Sequence, residues 1–183
     1  GSIKSLFFFS SLCLLLGGLL IFSSGYRKDR IITFFNPAVD PLGKSYHLRQ
    51  VLIALGSGGL TGLGLGESKQ KYRYLPEATT DSIFAVIGEE TGFLGGSFLI
   101  SVFLLLIFMG LKIASQAKNR FGQLLAVSLT TWIGLQAFIN FGAMVSLVPL
   151  TGVPLPFISY GGSSLIVAMA SMGILINIAK DKK

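Results

Sequence analysis

Apolar residues fill this chain in long unbroken runs, not in the alternating or one-sided patterns of soluble elements. Ser5 to Tyr26 contains no Asp, Glu, Lys, Arg or His, and neither does Thr91 to Leu111. Phe121 to Ala179 continues in the same way over a much longer stretch. A membrane-spanning helix needs roughly 20 mostly apolar residues, so the first two runs fit one helix each and the third fits two. The pattern predicts spanning helices over 5–26, 89–112, 122–147 and 160–179. They are joined by a long loop over 27–88, a short link over 113–121 and a second loop over 148–159. The predicted fold class is an all-α polytopic membrane protein, with residues 1–183 forming one membrane domain.

Composition narrows the classes further. Of 183 residues, 51% are hydrophobic and 13% charged, against about 25% charged in ordinary soluble domains, and the mean hydropathy is +0.71. A water-soluble enzyme is a poor fit. The one cysteine, Cys13, lies inside the first apolar run, which excludes a disulfide framework or thiolate cluster. The one histidine, His47, cannot build a His-rich zinc site and reads as a packing or hydrogen-bonding residue. A net charge of +7 invites a nucleic-acid reading, but the basic residues flank apolar runs and form no stripe, so membrane topology accounts for them. Lys4 before an apolar stretch mimics a signal peptide, yet the run is too long for an h-region and has no A-x-A exit. The start at Gly-Ser-Ile suggests part of a longer protein.

Charge sets an expected orientation. Lys4 precedes the first helix, Lys112, Lys118 and Arg120 surround the short link, and Lys180, Lys182 and Lys183 follow the last helix. The 148–159 loop has no basic residue. Short loops rich in Lys and Arg stay cytoplasmic, so both termini and the link are expected inside and the two other loops outside. The segment from Arg27 to Glu90 carries eight basic and seven acidic residues, but a loop of that length translocates largely regardless of charge.

That long loop is too rich in Phe, Tyr, Leu and Val for disorder. Leu48 to Leu55 is a short apolar stretch leading into GSGGLTGLGLG, Gly56 to Gly66. It predicts an interfacial or re-entrant helix ending at glycine. Irregular backbone at membrane depth is tolerated where it is buried in protein or lines a wet cavity. The glycine stretch, with Gly58 and Gly59 at its start, offers N–H groups that can cradle phosphate, or else simply a tightly packed turn. It is not a dinucleotide fingerprint, because Thr61 stands where the third glycine falls. Gly43-Lys44-Ser45 is no Walker motif, since Ala38 occupies the place of its first glycine.

Asp81 sits in YLPEATTDSIFAVIGEE, where the loop turns into a helix. Thr79, Thr80 and Asp81 are all good N-cap types, so Asp81 reads as a helix cap. The alternative to that cap is a carboxylate facing a cavity at a membrane–water boundary and serving as a general base. Glu89 is about 12 Å further along a helix, too far for a paired dyad with Asp81, and reads as a partner for a basic residue. Glu77 is the nearer second acid. Arg27, Lys28 and Arg30, then Lys69, Lys71 and Arg73, bracket the loop and suit lipid head groups, a pyrophosphate, or merely a solvated face. Finally NFGAMVSLVPLTGVPLPFISYGGSS, Asn140 to Ser164, interrupts two apolar segments with prolines and glycines. Asn140, Ser159, Ser163 and Ser164 around it suggest a polar-lined outward cavity or a stiff hairpin.

These blocks, in this order, resemble the SEDS (shape, elongation, division and sporulation) family, the FtsW/RodA/SpoVE group. The similarity covers Tyr26 to about Leu165 and includes YRKDRIITFFNPAVDPLGKSYHLRQVLIALGSGGLTGLGLG, KYRYLPEATTDSIFAVIGEETGFLG and NFGAMVSLVPLTGVPLPFISYGGSS. SKQKYRYLPEA looks more like the division-type members than the elongation-type ones. The resemblance implies the last four of about ten spanning helices, in the bacterial cytoplasmic membrane. It also implies a peptidoglycan glycosyltransferase that joins lipid II units on the outer face of the membrane. The family's essential acid falls on Asp81, as base for the acceptor hydroxyl. Lys69, Lys71, Arg73, Gly58, Gly59, Ser159 and Ser163 are the expected substrate-binding residues. A divalent ion, Mg or Mn, would help neutralise the leaving pyrophosphate. The implied partners are lipid II, a class B penicillin-binding protein that crosslinks the product, and other divisome membrane proteins, with no nucleic acid. Thr79 stands where the family often has His, Ser82 where it often has Phe, and Ser146 at a position that is commonly Gly.

Two other classes compete. A lipid II flippase needs polar groups across the bilayer, whereas the four predicted helices lack formal charge in their interiors. A non-catalytic division scaffold predicts that Asp81→Asn is harmless.

Overall fold

The computed structural model describes residues 45–70 and 79–180, together with isolated positions between 8 and 35. The chain divides into two compact units, Gly1–Tyr46 and His47–Lys183. In the first, Phe34 and Phe35 set their rings edge to face at 5.1 Å. The helix expected over 5–26 lies outside the described residues, save a few isolated positions.

The second unit is helical. Helix α1 spans Tyr46–Gly58, α2 Ile83–Gln116, α3 Arg120–Met144 and α4 Gly162–Lys180. Among the described residues, α2, α3 and α4 are long and apolar enough to cross a membrane. Their outward faces carry large exposed side chains, including Phe98, Phe108, Phe121, Phe138 and Ile166. Such a continuous apolar surface suits lipid, not water. The inward faces use small residues for close approach, the usual device between membrane helices. A Cβ on Gly110 of α2 would collide with Thr130 of α3, and one on Gly134 would press on Ile107. Phe141 knits α3 to α2, with ring centroids 4.7 Å from Phe84 and 5.5 Å from Phe103. Ala114, Ala126 and Leu175 form a second cluster that brings in α4.

Boundaries differ from expectation where polar residues are locally satisfied. The link expected over 113–121 shortens to 117–119, because Asn119 caps α3 by accepting from the Gly122 N–H at 2.6 Å. Helix α3 stops at Met144 rather than 147, and α4 starts at Gly162 rather than 160. The largest difference is α2, which begins at Ile83 and not 89. At 34 residues it would run about 50 Å if straight, but Gly92 breaks it with φ 69° and ψ −167°. Glu89 and Glu90 therefore lie inside the helix, just before the break.

That break is closed by the glycine stretch. The Phe93 and Leu94 N–H groups, deprived of helical acceptors, donate to the carbonyls of Gly59 (2.9 Å) and Leu60 (3.2 Å). In return the Glu89 and Glu90 carbonyls accept from the N–H groups of Leu63 (3.0 Å) and Gly64 (3.1 Å). Buried backbone groups must be paired, and here two irregular segments pair with each other. The fit leaves no room for side chains: a Cβ on Gly62 would strike the Glu90 carbonyl, and one on Gly92 the Gly62 amide.

Candidate functional site

Asp81 is 3% exposed and lies just before α2. The helix is not capped by its side chain. The N-cap position is Ser82, with no side-chain cap bond, and the Ser82 hydroxyl instead pairs with His47 Nε2 of α1 at 2.7 Å. The capping role that spacing suggested for Asp81 is thus not the one the structure gives it. Its carboxylate has a Thr80 hydroxyl at 3.4 Å, and no basic side chain among the described residues pairs with it.

The acid is held through its main chain instead. Asn140, buried near the end of α3, donates from Nδ2 to the Asp81 carbonyl and to the Val153 carbonyl, both at 2.8 Å. One turn earlier, Gln136 Nε2 donates to the Pro154 carbonyl at 3.0 Å. The Tyr160 N–H donates to the Thr79 carbonyl at 2.8 Å. Within the second loop, the Leu155 N–H donates to Ser159 Oγ at 2.7 Å. Phe157 sits at φ 66°, a conformation that costs a non-glycine residue energy and survives where its surroundings impose it.

Between these two anchored segments lies a cavity of about 460 Å³ lined by Thr80, Asp81, Gly152, Pro154, Tyr160 and Gly161. That volume is within the range of small-molecule sites. The Tyr160 ring is 81% exposed, so an aromatic face stands at the cavity beside a buried carboxylate.

The expected binding residues divide between two places. Asp81 lies at this cavity. Ser159 braces the loop behind it, and Ser163 is exposed on the first turn of α4. Gly58, Gly59 and Lys69 do not line it. Gly58 packs where a Cβ would strike the Gly88 carbonyl, and the Gly59 carbonyl is engaged by Phe93, so both glycines serve helix packing. Lys69 has an exposed side chain, while its N–H donates to Glu89 Oε1 at 3.1 Å. Glu89, 1% exposed, is not the ion-pair partner that its sequence position suggested. It accepts from the Ser68 hydroxyl at 2.5 Å and from the Lys69 and Gln70 N–H groups. Lys71, Arg73 and Glu77 lie outside the described residues.

A divalent ion finds little here. Among the described residues no three His, Cys, Asp or Glu side chains gather as a metal set, and Asp81 is the one carboxylate lining the cavity. Sequence reasoning missed Gly152, Pro154, Tyr160, Gly161 and the role of Gln136. The proline- and glycine-rich stretch was the available signal, but the pairing of residue 160 with residue 79 is a long-range fact.

The comparisons with known proteins agree with this architecture. The family described as cell cycle protein, FtsW/RodA/SpoVE, matches residues 2–183. The chain is 45% identical over 161 residues to stage V sporulation protein E of Bacillus subtilis strain 168, covering 88% of this chain and 44% of that protein. It is 44% identical over 164 residues to a probable peptidoglycan glycosyltransferase FtsW of Geobacter metallireducens, covering 90% of this chain and 44% of that protein. It thus spans less than half the length of these relatives. Among solved structures, one described as structural coordination of polymerization and crosslinking by a peptidoglycan synthase complex superposes with a TM-score of 0.70 at 24% identity, over 98% of this chain and 49% of the other. A mutant of the Thermus thermophilus rod shape determining protein RodA superposes with a TM-score of 0.55 at 30% identity, over 72% and 40%. An all-helical chain with several spanning helices, matched along nearly its whole length, is a multi-pass membrane protein and belongs to the FtsW/RodA/SpoVE family.

Proposed function

We propose that this chain forms the catalytic outer part of a peptidoglycan glycosyltransferase that joins lipid II units into glycan strands during division. The observation that carries the reading is a buried Asp81 carboxylate, freed from capping, that lines a cavity of about 460 Å³ with no basic residue neutralising it among the described residues. Asp81 takes the proton from the acceptor sugar's 4-hydroxyl. The oxygen attacks the anomeric carbon of the donor muramyl sugar, a C–O bond forms, and the bond to undecaprenyl pyrophosphate breaks. A positioned base of this kind contributes about 10²–10⁴-fold in rate. Tyr160 offers its ring to the apolar face of a sugar. The departing pyrophosphate is an anion that cationic side chains stabilise, and Lys69, Lys71 and Arg73 are the proposed source of that charge.

The charge pattern supports the orientation. Lys112, Lys118, Arg120 and Lys180 lie at the end of the helices opposite Asp81, a pattern in keeping with that end facing the cytoplasm. The cytoplasmic membrane and a class B penicillin-binding protein as partner belong to the same proposal. The coordination of polymerization and crosslinking for which the structural relative is described is in keeping with such a pairing.

The test is lipid II polymerisation by the full-length protein, purified with its transpeptidase, comparing wild type with Asp81→Asn. Glycan strands from the wild type and none from a folded, partner-bound variant are expected. Equal activity overturns the assignment of the base. No polymer from either protein favours a flippase or a scaffold.

A further inference from the structure

Two segments that line the cavity are tied together by a side chain that does not line it. Asn140 is 2% exposed within a helix apolar enough to span a membrane. A buried amide there is costly unless its hydrogens are bonded. Both are: the single nitrogen donates to the Asp81 carbonyl on one side and to the Val153 carbonyl on the other, at 2.8 Å each. An amide NH₂ is planar and offers only two hydrogens, in fixed directions. Three separate stretches of backbone, namely α3, the entry to α2 and the second loop, therefore meet at one atom. Gln136, on the same face of α3 at i−4, repeats the contact on the next loop carbonyl, Pro154, at 3.0 Å. Asp81, bonded to Asn140, and Pro154, bonded to Gln136, both line the cavity.

We infer that Asn140 is a positioning residue: it fixes the Asp81 main chain relative to the 152–154 wall, and so sets where the carboxylate meets the acceptor hydroxyl. The inference rests on the general-base reading of Asp81. A general base must lie within hydrogen-bond reach of its proton, and a displacement of about 1 Å costs on the order of 10²-fold in rate. Asn140 touches no reacting atom in this scheme and acts entirely through Asp81 and the loop. Loss of its two donors frees the two walls to drift apart without removing any group that binds substrate.

The experiment uses the full-length protein with its transpeptidase and measures kcat and KM for lipid II in Asn140→Asp, Asn140→Leu and Asn140→Ser, beside Asp81→Asn. Asn140→Asp keeps the shape and has no donor when ionised and one when protonated, Asn140→Leu removes polarity without adding charge, and Asn140→Ser keeps a single donor. The expected result is a fall in kcat of about 10- to 100-fold for Asp and Leu, with KM within about two-fold, an intact complex, and partial recovery in Ser. Wild-type kcat in a folded Asn140→Leu overturns the inference. So does a loss of melting temperature in all three variants with kcat per folded molecule unchanged, since Asn140 would then be only a stabilising contact. If Asp81→Asn is dead while Asn140→Leu is fully active, this inference alone fails. If Asp81→Asn is active, the base reading itself has failed.

Discussion

Two stretches of irregular backbone interrupt the apolar helices of this protein, and they end up as opposites. At Gly92 the broken helix faces the glycine stretch, and the two satisfy each other with four main-chain bonds between residues 59–64 and 89–94. No N–H in that exchange is left for a ligand, and no space remains. At Asp81 the two irregular segments share one main-chain bond, from the Tyr160 N–H to the Thr79 carbonyl. They are otherwise tied through side chains, with Asn140 donating to the Asp81 and Val153 carbonyls and Gln136 to that of Pro154, and a cavity remains beside them. Broken backbone is therefore not in itself the mark of a site. What decides is whether the freed polar groups are consumed by one another or held from outside by amides that leave a gap.

The first way to break this comparison is to add one methyl group on the closed side. Gly92 has φ 69° and ψ −167°, a region open essentially to glycine alone, where another residue costs about 1–3 kcal/mol before any clash is counted. Its Cβ would also run into the Gly62 amide and the Leu60 carbonyl. Gly92→Ala should lose about 3 kcal/mol or more, read as a large drop in melting temperature of the detergent-solubilised protein. A fully stable Gly92→Ala would mean that the junction is not closed as described.

Glu89→Ala comes next. It removes the acceptor shared by the Ser68 hydroxyl and the Lys69 and Gln70 N–H groups, a change worth about 1–3 kcal/mol. Because the clasp holds the chain at Lys69, faster tryptic cleavage there should accompany the loss of stability. Unchanged cleavage kinetics would show that the clasp does not restrain the loop.

On the open side, Tyr160→Ala should leave stability nearly untouched, because the ring is 81% exposed, and should raise KM for lipid II. A stacking contact of about 1 kcal/mol corresponds to about five-fold. Tyr160→Phe should retain wild-type KM. An unaltered KM in the alanine variant removes the ring from the binding surface.

How far the sequence discloses these two regions follows from the range of the interactions. The spanning parts of α2, α3 and α4 are written in charge-free runs, which are local. The true start of α2 is not, since Glu89 and Glu90 look like the end of a loop until Ser68–Gln70 is seen to supply the donors for Glu89. Asp81 stands out through family resemblance. Its spacing alone argued for a cap, and the structure gives the N-cap position to Ser82 and the Ser82 hydroxyl to His47. The glycine stretch was legible as irregular backbone but not as a partner for Gly92, because a glycine in a helix does not announce its φ. Tyr160 and Gly152 became site residues only when residue 79 met residue 160 across 81 positions of chain, a pairing no local pattern encodes.

The smallest expected effect tests whether the open side carries strain for its shape. Helix α3 ends in a Schellman motif: the Leu147 N–H reaches the Gly142 carbonyl at 2.8 Å and the Ser146 N–H the Ala143 carbonyl at 3.2 Å. That geometry places Ser146 at the position where glycine is preferred, and its φ is 59°. The left-handed conformation costs a residue with a Cβ about 1–2 kcal/mol. The serine gains little in exchange, since its hydroxyl is buried without a partner among the described residues. Against this, glycine gives up more chain entropy on folding, about 0.5–1 kcal/mol relative to alanine where the conformation is ordinary. The difference leaves Ser146→Gly stabilising by about 0.5–1 kcal/mol, a rise of a few degrees at most in melting temperature, with kcat and KM unchanged. A destabilised variant would mean that the hydroxyl is bonded to a group outside the described residues. The buried oxygen of Asn140, six residues earlier in the chain and likewise without a partner among the described residues, would then be the next atom to examine for the same contact.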